Sequence, residues 1–189
     1  MNRDFILASS SPRRFELLRQ IGLSFQSIVP LVDESTDLTD PIDIVCELSL
    51  RKASAVAKNN PLSVVIAADT VVAVDGTVLG KPKSAEDAAE MLRMMSGRSH
   101  FVYTGVTVAC DGRLETGLCR TEVFFKPLTE EQISAYVSSP EPYDKAGAYG
   151  IQSRGALLVD HIDGDYANVV GLPVSILYEM LKEFGIDIL

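Results

Sequence analysis

The chain has 189 residues, 47% hydrophobic and 23% charged, with a formal net charge of −9. A chain of that size suits one domain, or one domain with two lobes, and its core needs no disulfide or metal staple. The acidic balance argues against general nucleic-acid binding, which depends on neutralising phosphates, and makes any local cluster of cations informative.

Phe5 to Ala8 reads as a buried strand, and Ser9-Ser10-Ser11-Pro12 punctuates it. Ser11 can N-cap a helix whose first turn holds Pro12 and which runs to about Ile21, with Gly22 ending it. Phe25 to Val29 is expected as a second strand. Asp40-Pro41 opens a helix with Ile42, Val45, Cys46, Ala53 and Val56 at apolar spacing and Lys52 at the edge of that stripe. Val64 to Ala68 reads as a central strand with Asp69 directly after it, and Val71 to Leu79 as a small hairpin turning at Asp75-Gly76. Ser84 caps a helix to about Met95. Two long strands, Phe101 to Cys110 and Arg113 to Phe125, join at Asp111-Gly112, and Thr129 caps a helix to about Val137. Ser138 to Ser153 is a loop, Ala156 to Ile162 a strand, and Pro173 to Phe184 a closing helix. Crossover helices mixed with hairpins predict an α/β fold with a mixed sheet.

Cys46, Cys110 and Cys119 form no CxxC pair, and the odd count suits a reducing cytosol. The apolar run at Phe5 is too short for a signal peptide, and Asp69-Thr70 interrupts the longest apolar stretch. A cytoplasmic protein without a membrane anchor is expected.

Four segments carry chemistry. In Ser9-Ser10-Ser11-Pro12-Arg13-Arg14, two arginines sit in a helix's first turn, where the helix dipole disfavours them. A bound anion reverses that penalty, and the Ser9 and Ser11 hydroxyls, free amides and guanidinium forks all suit phosphate oxygens. An ordinary cap beside two solvated arginines is the plainer alternative. Asp69-Thr70 places a carboxylate at a strand end, where it can hold a metal, orient water or simply cap a turn. Gly80-Lys81-Pro82 fixes a lysine in extended backbone, as a phosphate contact or an exposed turn. In Asp144 to Gln152, small residues allow close approach to a ligand, and the Gln152 amide can read a base edge. Asp33-Glu34 can add oxygen ligands for a divalent metal, or form a solvated acidic loop. The common phosphate loops, the GxSxG elbow and the HExxH motif are absent, and two histidines leave little room for a zinc site.

Taken in order, Ile6-Leu7-Ala8-Ser9-Ser10-Ser11-Pro12-Arg13-Arg14, Glu16-Leu17-Leu18, Ala68-Asp69-Thr70, Gly80-Lys81-Pro82, Met91-Leu92-Arg93, Ser96-Gly97, Asp144-Lys145-Ala146-Gly147 and Gly171-Leu172-Pro173 resemble the Maf family. The match spans nearly all of the chain, residues 1–189, as one such domain. The resemblance implies a cytoplasmic α/β enzyme, Maf/Ham1-like, with a twisted mixed sheet, flanking helices and two lobes around a cleft, often as a homodimer. It implies a nucleoside triphosphate pyrophosphatase that uses a divalent cation, Mg²⁺ or Mn²⁺. By position, Asp69 matches the family's proton acceptor, and Arg14, Lys52 and Lys81 its phosphate-contacting cations. Arg13, Thr70 and Gln152 fall where the substrate branches differ and match the branch acting on dTTP and UTP. Glu34 and Asp69 are the expected metal ligands, and the family's association with division arrest and nucleotide-pool cleaning comes with the resemblance. Three rivals remain at this stage: a pyrophosphatase for 7-methyl-GTP or non-standard purine triphosphates, a non-catalytic nucleotide-binding regulator of division, and a nucleic-acid module.

Overall fold

Residues 3–189 are described by the structure, a computed structural model. Strand β1 (Phe5–Leu7) leads into helix α1 (Pro12–Gln20) and strand β2 (Phe25–Ser27), which lies parallel to β1. Helix α2 (Pro41–Ala57) crosses over to β3 (Val64–Val74), parallel to β1 on its other side. A tight turn then joins β3 to β4 (Thr77–Leu79), and helix α3 (Ala85–Met95) leads to the long antiparallel strands β5 (Ser99–Cys110) and β6 (Arg113–Phe125). Helix α4 (Glu130–Val137) and three short 3₁₀ turns follow, then β7 (Val159–Asp163), α5 (Tyr166–Val170) and α6 (Val174–Glu183). The seven-stranded mixed sheet has the order β2-β1-β3-β5-β6-β7, with β4 added beside β3.

Strand β3 organises the molecule. Its first half pairs with β1 as far as Leu7↔Ile66, and its last residues pair with β4 from Val72↔Leu79. On that side neither β1 nor β4 pairs with Ala67 to Val71, whereas β5 runs unbroken along the other side. The sheet therefore splits at mid-strand. Two apolar cores sit on one face, one around α1 and α6 with Ile66 and Ala68, the other around α3 and α4 with Val72 and Val74. These are the two lobes. Helix α2 covers the opposite face through Ile44, Val45, Leu48, Ala53 and Val56, against Val65, Ala67 and Val71.

The local signals account for most boundaries. Asp40 caps α2 by accepting from the Ile42 and Asp43 amides, and Thr129 with Gln132 forms a reciprocal capping box on α4. Asp111 and Gly112 turn with φ of 50° and 77°, the geometry of a two-residue hairpin, which sets Cys119 opposite Thr104. All three cysteines are free.

Several expectations change. Asp69 does not end a strand but lies in the middle of β3, because the apolar run resumes at Val71 and β5 pairs across the whole length. Strand β2 stops at Ser27 rather than Val29. Residues 153–157 wind into a 3₁₀ turn, so β7 begins at Val159 and not at Ala156. Ser11 has extended backbone at the head of α1 but makes no side-chain capping bond. Ile42 is exposed, and Ile44 and Leu48 take the inward positions of α2. Helix α5, capped by Asp165, is five residues long, too short to show a helical period. No helix among the described residues is long and apolar enough to cross a membrane.

Candidate active site

The split in the sheet opens a cleft of about 640 Å³. Strand alternation sends Asp69 to the α2 face and Thr70 to the other. Both nevertheless line this one cleft, because the edge of β3 is uncovered here. Arg13, Arg14, Lys52 and Lys81 line it too, with Ser9, Ser11, Glu34 and Gln152. Apart from Asp33, the residues singled out from the sequence are thus gathered in one place, although the β1–α1 turn, α1, the loop before α2, α2, β3, the turn after β4 and the loop after α4 contribute them separately.

On the α2 face, the Lys52 ammonium donates to Asp69 Oδ1 at 2.6 Å and lies 3.2 Å from Glu34 Oε2. Lys52 and Asp69 are both buried, at 6% and 8% exposure, whereas Glu34 is exposed. Lys52, at the edge of the apolar stripe of α2, is thus the buried counter-charge of Asp69. One oxygen of Asp69 is engaged by it and the other stays available.

On the opposite face, Arg14 Nε donates to the Gly171 carbonyl at 2.8 Å and Nη2 to Thr70 Oγ1 at 3.1 Å. Ser9 Oγ lies 3.5 Å from Nη1 and also accepts from the Ser11 amide at 3.1 Å. Burial pulls the Arg14 guanidinium below its ordinary pKa, and the Asp69 carboxylate opposes that shift. An arginine stays protonated under such conditions, so the site keeps a desolvated cation. Gly171 has a φ of 123°, and a Cβ built there would lie 3.5 Å from Thr70 Oγ1 and 3.7 Å from Arg14 Nε. Those distances are ordinary van der Waals contact, so it is the positive φ that favours glycine here.

Arg13 pairs across the cleft with Asp144 at 2.9 Å, and Lys145 meets the other Asp144 oxygen at 2.5 Å. Lys81 is exposed at the rim, and the Gly147 amide donates to the Gly80 carbonyl at 3.0 Å, tying its turn to the loop after α4. Gln152 lines the cleft beyond Tyr149, whose hydroxyl sits 2.7 Å from His100 Nε2 in the core. Tyr149 is therefore packed, and it anchors the segment that presents Gln152. Asp33 is taken up by the Ser35 amide and hydroxyl, both at 2.8 Å, and is not among the residues lining the cleft. No cluster of three or more His, Cys, Asp or Glu side chains placed to hold a metal occurs among the described residues.

Some contributors escaped the sequence reading. Thr104, Asn168 and Gly171 hold Arg14 and Thr70 from behind, and Arg51 clamps the Glu34 loop through the Asp33 carbonyl and the Ser35 carbonyl. A threonine in a long strand and an arginine on a helix carry no local signal of such roles.

Known proteins match this chain along its length. A family model described as Maf-like protein matches residues 4–184. Proteins named dTTP/UTP pyrophosphatase from Bacillus cereus (strain AH820) and Bacillus anthracis are each 52% identical over 187 residues, covering 98% of this chain and 98% of theirs. Among solved structures, the Staphylococcus aureus Ham1 protein superposes with a TM-score of 0.57 at 14% identity, covering 96% of this chain and all of the other, a likeness of fold. With the family model covering all but the ends, and half of all residues shared with full-length relatives, the chain belongs to the Maf family.

Proposed function

We propose that the chain is a nucleoside triphosphate pyrophosphatase that hydrolyses dTTP and UTP to the monophosphate and pyrophosphate. The observation that carries this reading is one cleft lined by four cations, Arg13, Arg14, Lys52 and Lys81, together with the buried carboxylate of Asp69, which Lys52 contacts directly. Cleavage of a phosphoric anhydride needs an oriented water, an acceptor for its proton and cations where charge develops. Asp69 is the acceptor. Lys52 fixes one of its oxygens, leaving Oδ2 to accept from a water. Arg14, Lys52 and Lys81 hold the phosphates and neutralise the departing pyrophosphate. Ser9 and Ser11 add hydroxyls at the head of α1. Arg13, Thr70 and Gln152 select the nucleotide. The relatives named dTTP/UTP pyrophosphatase support a pyrimidine substrate.

A divalent cation fits these residues in one way. Mg²⁺ and Mn²⁺ take oxygen ligands, and Mg²⁺ commonly uses one or two carboxylates together with substrate phosphates. Asp69 and Glu34 are such a pair, linked through Lys52. They would hold the ion jointly with the triphosphate, and the ion would spread the phosphate charge. The free thiols of Cys46, Cys110 and Cys119 fit a cytoplasmic setting, where the reaction would remove pyrimidine triphosphates from the pool.

The test is product analysis with dTTP, UTP, CTP, GTP, 7-methyl-GTP and ITP, with Mg²⁺ or Mn²⁺ and an EDTA control. Monophosphate plus pyrophosphate from dTTP and UTP, lost with EDTA, is the expected result. Preference for 7-methyl-GTP or ITP would move the substrate. Binding without turnover of any nucleotide would replace the enzyme by a nucleotide-binding regulator.

A further inference from the structure

Three hydroxyl and carbonyl groups behind Arg14 form a chain with a fixed direction. Thr70 on β3 and Thr104 on β5 are cross-strand partners, with hydroxyls 2.9 Å apart. Thr104 is fully buried, and its hydroxyl also lies 3.2 Å from the Asn168 carbonyl. Asn168 is itself pinned, its amide donating to the Val102 carbonyl at 3.0 Å and to Thr121 Oγ1 at 2.9 Å.

The protons can be counted. A guanidinium has only donors, so Thr70 must accept from Arg14 Nη2. A carbonyl has only lone pairs, so Thr104 must donate to Asn168. Each hydroxyl has one proton. Thr104 has thus committed its own, and across the 2.9 Å contact Thr70 is the donor. The sequence runs Arg14 to Thr70 to Thr104 to the Asn168 carbonyl. Among the described residues, the one competing acceptor for the Thr70 proton is the Gly171 carbonyl at 3.5 Å, which already receives Arg14 Nε at 2.8 Å. Gly171 and Thr70 thereby take Arg14 Nε and one proton of Nη2, one Nη1 proton faces Ser9 Oγ at 3.5 Å, and the other two Nη protons are left to meet an anion.

We propose that Thr104 is a positioning residue for the phosphate site: through Thr70, its buried hydroxyl locks the Arg14 guanidinium so that its remaining donors serve the phosphates. This rests on the reading that the cleft binds the triphosphate through Arg14. Without the Thr104 hydroxyl, the Thr70 proton loses its inward acceptor. It then turns to the Gly171 carbonyl, in competition with Arg14 Nε, or towards the cleft, where a proton donor is wrongly placed to orient the arginine.

The experiment measures binding of inorganic pyrophosphate by calorimetry, alongside dTTP kinetics, for Thr104→Val, Thr104→Ser, Arg14→Lys and Arg14→Lys/Thr104→Val. Thr104→Val should weaken pyrophosphate binding about tenfold, the worth of one hydrogen bond, and Thr104→Ser should restore it to within about twofold. Lysine keeps the charge of Arg14 but not its fork, so Thr104→Val should cost less than about twofold further in the Arg14→Lys background. Wild-type affinity in Thr104→Val, equal losses in the Ser and Val variants, or full additivity with Arg14→Lys would each overturn the proposal. If Thr104→Val does not fold, Thr70→Val breaks the same chain from the cleft side and carries the same expectations. Pyrophosphate binding that responds as described, with no nucleotide turned over by the wild type, would sink the functional reading and leave this one standing. Turnover of dTTP with unaltered pyrophosphate binding in Thr104→Val would do the reverse.

Discussion

The Lys52–Asp69 pair lies in the cleft, and both members are buried. A buried ion pair adds little net stability over a well-packed apolar pair, but removing one member strands the other charge. Lys52→Met should therefore destabilise the fold by about 3–5 kcal/mol in urea titrations. Adding Asp69→Asn should cost far less than the sum of the two single changes, and simple additivity would show that the two side chains do not act as a pair. Asp69→Asn alone keeps the shape and a hydrogen-bond acceptor for Lys52 but loses the proton acceptor. It should fold and lose about 10²–10⁴-fold in kcat with dTTP, and near-normal turnover would remove Asp69 from that role. At this scale the sequence was informative about residue types and poor about partners. Arg13, Arg14 and Asp69 stood out because each was at odds with its local context, and Lys81 because Gly80 and Pro82 hold it in extended backbone. Thr104 and Asn168 did not, because a buried hydroxyl or amide looks ordinary until its neighbours across the sheet are known.

Helix α2 brings Lys52 to Asp69, and its seating depends on a glycine in β5. A Cβ at Gly105 would lie 2.3 Å from the Val45 carbonyl oxygen and 2.6 Å from its carbon, both backbone atoms that cannot swing aside. Gly105→Ala should push α2 off the sheet, costing about 1–3 kcal/mol of stability. Because Lys52 rides on that helix, kcat should fall as well. Thermal unfolding and dTTP kinetics check both, and a variant with wild-type values in each would mean that α2 is not seated by this contact. Most elements were legible from caps and turns: Asp40, Thr129 and Asp111-Gly112 each set a boundary by local hydrogen bonding or backbone freedom. The continuity of β3 was not. Asp69 and Thr70 interrupt its apolar run as a strand end would, and only the pairing with β5 carries the strand through them. The five-residue helix α5 also lies below the length at which periodicity speaks.

Across the whole molecule, stability should depend on pH through His100. It is buried in the core around α3 and α4, between Phe125 and Tyr149, and burial lowers its pKa from 6.5 to about 4. The folded state thus holds His100 neutral while the unfolded chain protonates near pH 6.5. As pH falls from about 6.5 towards 4, the unfolded state binds the extra proton and stability drops, by up to about 1.4 kcal/mol per pH unit. Urea titrations over that range should show a steeper slope for the wild type than for His100→Phe, in which carboxylates held low by their partners, such as Glu47 and Glu130, still contribute at the acid end; an identical slope in the variant would place the proton uptake elsewhere. The sequence by itself determined the α/β class, most helices and hairpins, the acidic balance that makes a local cluster of cations informative, and, through its ordered motifs, the family. These follow from short-range rules of capping, turn geometry and alternation, which act within a few residues. The tertiary structure alone decided that β3 is uncovered at mid-strand, that residues from opposite faces of the sheet therefore share one cleft, and that Lys52 is the counter-charge of Asp69. Those facts rest on which strand lies beside which, and a buried charge or hydroxyl acquires its meaning only from partners far away along the chain.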